Sequence, residues 1–390
     1  MKEISIGTIG SGMIVPRILE AFPQVEGIRL SAVYSRSQGK ANWLASKFAD
    51  CGTVSVDPDF QYAWPPLGIA PEIDALEVTE EELAAKGWRP ITMYTDMDAF
   101  LADPDFDFVY IATPNLLHYE QAKKALLAGK NVLLEKPFTT RADHAKELID
   151  IAAEKDLILV EMNPTSFLPN FEILKRELPK IGRVRLVMGN YSQFTPLYND
   201  LKAGELPTYF NPRFAGGSLM DLNYYNVYLN VVLFGKPDSA TYFANMFPLT
   251  SPKQQEGLGD LAGKSDIIDT SGVLYMQYPD FVSMSFGAKD TFGDNFFQIE
   301  GENGFITIGN GPNGFSDIHV KTRDTDETFN EMTHPHPFTN RWYYEVKTLT
   351  KMLLADEREA LRDRLQATLD TVEVMEESRK DAGLIFDGDR

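Results

Sequence analysis

Short runs of aliphatic and β-branched residues alternate with helically spaced ones through the first third of the chain. The runs Ile4 to Ile9, Ile28 to Tyr34, Phe106 to Ala112 and Asn131 to Leu134 are continuously apolar, as strands buried on both faces are. Between them the spacing predicts helices over Met13 to Phe22, Gly39 to Phe48 and Leu117 to Leu127, the last closed by Gly129. Strand and helix in this alternation build βαβ units around a parallel sheet. Residues 1–137 are therefore expected to form a doubly wound nucleotide-binding domain.

One interval breaks the rhythm. Residues 50–90 carry Pro58, Pro65, Pro66 and Pro71, the aromatics Phe60, Tyr62 and Trp64, and an acidic helical piece from Thr79 to Lys86. They read as an insertion before a further strand over Ile91 to Tyr94, either a surface elaboration or a lid or oligomer contact. A helix over Arg141 to Lys155 and a strand over Leu157 to Glu161 follow. Then the pattern becomes that of antiparallel strands: Val184 to Tyr191, Thr241 to Phe247, Gly272 to Tyr278, Phe281 to Ala288, Phe296 to Glu300 and Phe305 to Ile308, with turns at Pro279-Asp280 and Asn303-Gly304. Helices from about Asn340 to Ala355 and Arg358 to Ala382 end the sequence. Residues 138–390 are thus expected to be an α+β domain on a large, mostly antiparallel, open-faced sheet. Helices would cover one face, leaving the other to pair with a second subunit.

Composition narrows the partners. A formal charge of −20 over 390 residues disfavours nucleic acid and anionic membranes, and no apolar run approaches the ~20 residues that cross a bilayer. The single cysteine, Cys51, allows no internal disulfide and no cysteine-built metal site. With no secretory pattern at Met1-Lys2-Glu3, the expected location is cytoplasmic. His334-Pro335-His336 lacks a third ligand nearby, so no metal is expected.

The chemistry begins at Gly10-Ser11-Gly12, between the first strand and its helix. Glycine lets the backbone approach a pyrophosphate, and the amides opening the helix, at Met13 and Ile14, can receive it. The third small position of the Rossmann dinucleotide pattern is Val15. At the end of the second strand, where an acidic residue would hold a free ribose 2′-hydroxyl, stand Ser35 and Arg36. A hydroxyl and a guanidinium suit a 2′-phosphate, so NADP is expected ahead of NAD.

The glycine turn, Ile111-Ala112-Thr113-Pro114-Asn115 with His118, Glu135-Lys136-Pro137, and Gly216-Gly217-Ser218-Leu219-Met220-Asp221-Leu222-Asn223-Tyr224-Tyr225 occur in that order. In this the chain resembles the glucose-fructose oxidoreductase, inositol dehydrogenase and MocA (Gfo/Idh/MocA) family over most of its length outside residues 50–90. The resemblance implies a pyridine-nucleotide oxidoreductase acting on a secondary alcohol or carbonyl of a sugar, cyclic polyol or related diol. Thr113, Pro114, Asn115 and His118 would flank the cofactor, and Glu135 and Pro137 would present Lys136 beside the nicotinamide, with a cis bond before Pro137. Many members carry histidine where this chain has Tyr225. Tyrosine there resembles a subgroup that includes the dimeric dihydrodiol dehydrogenases. Tyr225 and Lys136 would handle the proton, and Asp221 would hold a substrate hydroxyl or tune the lysine. Asp221 and Tyr225 are four apart in a helical pattern and are expected on one face. Asn223 is expected to narrow the cleft, and Asn163, Tyr224 and Arg341 are candidate substrate contacts. Tyr209 and Tyr228 fit either a sugar site or the core. A homodimer or homotetramer is implied. Alternatives are a nucleotide-sensing regulator without turnover, and a redox-assisted glycosidase in which the nicotinamide recycles.

Overall fold

The computed structural model describes residues 3–52, 71–333 and 340–389. Pro58, Phe60, Tyr62, Trp64, Pro65, Pro66 and the His334-Pro335-His336 segment lie outside them. Six strands, β1 (Ile4–Ile9), β2 (Ile28–Tyr34), β3 (Thr92–Tyr94), β4 (Phe108–Ile111), β5 (Asn131–Glu135) and β6 (Leu159–Met162), form one parallel sheet in the order β3-β2-β1-β4-β5-β6. Every residue of β1 is buried, which explains its unbroken apolar run. The acidic piece is a helix, Glu80–Lys86, with Thr79 and Glu82 capping one another.

The parallel sheet runs past residue 137. The crossover helix Ala142–Glu154 returns the chain so that β6 pairs with β5 at Leu133 and Val160. The late helix Asn340–Leu354 also folds back, and Trp342, Val346 and Leu349 share a core with Ile6, Ile18 and Tyr110. Residues beyond 137 therefore complete the first lobe as well as building the second.

The second sheet contains β7 (Val184–Ser192), β8 (Ser239–Pro248), β9 (Ile267–Gln277), β10 (Val282–Ala288), β11 (Phe296–Gly301), β12 (Gly304–Gly309), β13 (Ile318–Thr322) and β14 (Asp326–Phe329), ordered β14-β13-β12-β11-β7-β10-β9-β8. All neighbours are antiparallel except β7 and β10. The sequence pattern does not mark β13 and β14. Asp-Glu-Thr-Phe in β14 is polar and largely exposed, as suits an edge strand. One face is covered by helices: Phe171 and Leu174 pack on Ile299 and Ile306, and Val227 and Val231 pack with Leu274 and Met276. On the other, Phe243 keeps 61% and Phe286 37% of its surface exposed.

Two glycines shape the turn after β1 for different reasons. Gly10 has φ 121°, and a Cβ there would lie 2.3 Å from the Ala112 carbonyl oxygen, so only glycine lets β1 turn beside the end of β4. At Gly12 a Cβ would meet only that same oxygen, at 4.0 Å, so its missing side chain leaves open space. Val15 is fully buried in the first core rather than crowding the turn.

Candidate active site

The chain leaves β1 towards β2 and β3 but leaves β4 towards β5 and β6, so a crevice opens beyond their carboxyl ends. Gly10, Gly12, Met13 and Ile14 follow β1, Ser35 and Arg36 follow β2, Thr113, Pro114 and Asn115 follow β4, and Lys136 and Pro137 follow β5. The peptide bond between Lys136 and Pro137 is cis. Ser35 is buried, its hydroxyl accepting from the Ser37 amide at 3.2 Å, whereas Arg36 is exposed. The Asn115 amide reaches the second lobe, donating to the Ala215 carbonyl at 2.9 Å.

His118 lies behind these loops rather than in the crevice. It is fully buried, with its ring nitrogens 2.9 Å from the Pro137 and Thr113 carbonyls. It ties the loop after β4 to the loop that carries Lys136.

Lys136 is where the two lobes meet. Its ammonium donates to the Asp221 carbonyl oxygen at 3.0 Å and to Asp221 Oδ1 at 3.1 Å, and lies 4.7 Å from the centre of the Tyr225 ring. The other carboxylate oxygen of Asp221 accepts from Lys289 at 2.8 Å. Asp221 sits on a π-helical turn, Leu219–Asn223, immediately before the α-helix Tyr224–Phe234. The expected four-residue α spacing is therefore widened, yet Asp221 and Tyr225 still converge on Lys136. Such turns are common at functional sites.

The charges reinforce one another. Burial alone would raise the Asp221 carboxyl, but Lys289 and Lys136 hold it well below the usual carboxylate range. Burial works against the Lys136 ammonium, and the charges of Tyr225, Asp221 and Glu135 outweigh it, so the lysine stays protonated above its ordinary range. Burial pushes the Tyr225 phenol up to about 12 against the opposing charges of Lys136 and Arg341. Tyr225 is thus a proton donor at neutral pH, beside a lysine that keeps its charge.

Other candidates lie elsewhere. Tyr224 does not face the cleft: it is fully buried, and its hydroxyl is committed to Glu161. Asn223 does not narrow the cleft, because its amide donates to the Ser285 carbonyl of β10 at 2.8 Å and its carbonyl accepts from Asn226 at 3.0 Å. Tyr228 is a core residue bound to Ser166 at 3.0 Å. Asn163 is fully buried, with Oδ1 accepting from the Thr165 amide and Nδ2 without a partner. The Arg341 guanidinium stacks 4.2 Å over Trp342, and its charge reaches Tyr225. Tyr209 is 40% exposed, and its ring lies 5.1 Å from the Lys289 ammonium.

Three residues of the site have no signal in the sequence. Lys289 follows β10, Tyr191 meets Tyr225 edge to face at 5.6 Å, and Asn313 fixes Tyr191 by donating to its hydroxyl at 2.6 Å. Each comes from a separate segment and forms no motif with its neighbours. Among the described residues no group of side chains could hold a metal ion, and no helix is long and apolar enough to cross a membrane.

Behind Lys136 lies a set of buried carboxyls. Burial pushes Glu135 and Glu161 each up to about 7 and Glu345 well above its ordinary 4.5, and Glu20, elsewhere in the first lobe, up to about 8. The folded protein therefore holds protons that the unfolded chain releases. The resulting stability is complete below about pH 4.5 and is lost as pH rises through about 7 to 8. The melting temperature should fall between about pH 5.5 and about pH 8.5 at constant ionic strength. A melting temperature that climbs across that interval would contradict the assignment.

Residues 73–162 match the family model described as "Oxidoreductase family, NAD-binding Rossmann fold" (GFO_IDH_MocA). The chain is 29% identical over 391 residues to scyllo-inositol 2-dehydrogenase (NADP(+)) IolU of Bacillus subtilis (strain 168), covering 99% of both. It is 28% identical over 209 residues to trans-1,2-dihydrobenzene-1,2-diol dehydrogenase of Xenopus laevis, covering 51% of this chain and 60% of that one. The fold is shared with aldose-aldose oxidoreductase from Caulobacter crescentus, at a TM-score of 0.67 and 19% identity over 98% of each chain. The match over residues 73–162, the full-length similarity to an NADP(+)-dependent inositol dehydrogenase and the two sheets with their switch-point crevice make the chain similar to the Gfo/Idh/MocA oxidoreductases.

Proposed function

We propose that the protein transfers a hydride between NADP(H) and a secondary alcohol or ketone of a sugar, cyclic polyol or related diol. The observation that carries this reading is the meeting of Lys136, Asp221 and Tyr225 at the mouth of the crevice. The chain's residues fit the cofactor: the open space at Gly12 admits a phosphate, and the exposed Arg36 beside Ser35 suits a 2′-phosphate. A relative whose name carries both scyllo-inositol and NADP(+) supports the same substrate class and cofactor.

Bound there, the nicotinamide would supply hydride for reduction or accept it in oxidation. In reduction the Tyr225 hydroxyl donates its proton to the carbonyl oxygen; in oxidation the phenolate takes the alcohol proton back. The Lys136 ammonium, against the Tyr225 ring, stabilises that phenolate and the negative charge that develops on the reacting oxygen. Asp221 has both carboxylate oxygens on lysines, so its role is to aim and charge Lys136 rather than to hold a substrate hydroxyl. His118, Glu135 and Pro137 hold the loop. Arg341, beside Tyr225, is the remaining substrate contact.

The same reading includes a homo-oligomer formed through the open sheet face, where Phe243, Phe286 and Phe296 border a concavity of about 630 Å³ with Asn190, Asn245 and Ser271. It also places the protein in the cytoplasm, where the buried Cys51 stays a thiol.

The purified protein should turn over at least one member of a panel of aldoses and inositols, followed by nicotinamide absorbance. Arg36→Ala should weaken NADP about tenfold or more, the value of a charge-assisted phosphate contact, with a much smaller effect on NAD. Equal weakening of both nucleotides would remove the NADP preference. Tight nucleotide binding without turnover of any substrate would instead favour a sensor.

A further inference from the structure

Glu161, at the end of β6, is buried at 5% exposure, and none of the chemistry above uses it. Its Oε1 accepts from the backbone amide of Phe138 at 3.2 Å and from the Tyr224 hydroxyl. Its Oε2 accepts from the Thr368 hydroxyl at 2.9 Å. These partners lie on three separate elements: the loop after β5, the helix Tyr224–Phe234 and the C-terminal helix Arg358–Asp381. Phe138 is two residues from Lys136, and Tyr224 is the residue before Tyr225. One oxygen thus binds, side by side, the backbone that presents the lysine and the helix that presents the tyrosine. The second oxygen, on Thr368, fixes the carboxylate against rotation.

We propose that Glu161 is a positioning residue that sets the separation between Lys136 and Tyr225. The inference rests on the proposed function, in which that pair handles the proton. Without Glu161 the two groups lose their shared anchor. Lys136 then reaches the Tyr225 segment only through its flexible side chain on Asp221, while the loop backbone at Phe138 is no longer tied to the helix at Tyr224, so the loop can shift and change the approach of the ammonium to the Tyr225 ring. A misplacement of about 1 Å at a reacting centre can cost about 100-fold in rate even when every reacting group is present. Burying a carboxylate near the carboxyls of Glu135 and Glu345 is costly in itself, which sets this fastening apart from ordinary packing.

The test compares wild type, Glu161→Ala and Glu161→Gln. Gln keeps an oxygen that can accept from both the Phe138 amide and the Tyr224 hydroxyl. Glu161→Ala should lower kcat about 100-fold, with KM for NADP essentially unchanged and the distance from the Lys136 ammonium to the Tyr225 ring lengthened in its crystal structure. Glu161→Gln should restore most of kcat and the native distance. Two results would overturn the proposal: a Glu161→Ala enzyme with wild-type kcat and an unchanged distance, or one whose NADP binding and melting temperature collapse in step with kcat. If wild type turns over no sugar or polyol, the proposed function fails. The crystallographic distance then still decides whether Glu161 positions the pair.

Discussion

Lys136→Met should lower kcat about 10²- to 10⁴-fold, the usual value of a positioned acid-base group, and leave NADP bound. Methionine roughly preserves the volume of the side chain but removes the ammonium that lies 4.7 Å from the Tyr225 ring. Folding should survive, because Asp221 keeps Lys289 at 2.8 Å and is not left as an uncompensated buried charge. Tyr225→Phe should fall in the same range while keeping the edge-to-face contact with Tyr191. The Tyr225 hydroxyl has no hydrogen-bond partner among the described residues, so deleting it costs the fold little. Single-turnover kinetics together with NADP titration separate the two effects. If either variant turns over at the wild-type rate, the proton-transfer assignment is wrong; if NADP affinity drops as far as kcat, the residue serves binding rather than chemistry.

Asp221→Ala is the second large effect, and its cause is different. One carboxylate neutralises two ammonium groups, from Lys136 and from Lys289, whose side chains retain 14% and 4% exposure. Removing it leaves two positive charges facing each other in a partly buried site, an arrangement that costs about 3 kcal/mol or more. Asp221 itself keeps 30% of its side-chain surface open, which puts the cost at the low end of that range. Both the melting temperature and turnover should drop. Adding Lys289→Met removes one of the stranded charges, so the double variant should regain much of the lost stability without regaining activity. Additive losses in the double variant would show that the two residues are not coupled. This cycle also separates the electrostatic role of Asp221 from direct contact with substrate, because a lost substrate contact would not be repaired at Lys289.

The local part of the design is legible in the sequence. The apolar runs of β1 and β2 predict those strands to the residue, because a strand buried on both faces needs no partner information to be recognised. Gly10 is a short-range feature and forms the expected turn, and Asp221 and Tyr225 converge on Lys136 as expected although a π turn replaces the α spacing, whereas the cis bond before Pro137 is implied by the family resemblance. The charge of −20 and the lone cysteine likewise need no fold to bound the partners.

What only tertiary structure decided is which neighbour each side chain meets. Helical periodicity assigns Asn223, Tyr224 and Tyr225 to successive directions around an axis, but not which direction opens on the cleft. The π turn and the packing on β10 send Asn223 into the sheet and Tyr224 to Glu161, leaving Tyr225 for Lys136. Lys289 lies 68 residues from Asp221 and Glu161 lies 63 from Tyr224, and these residues, like Tyr191 against Tyr225, are brought to the site by sheet register and packing that no local pattern encodes. Sequence fixes the faces of each element through backbone geometry. The juxtaposition of those faces, and with it the pairing of two lysines on one aspartate, arises only when the core packs.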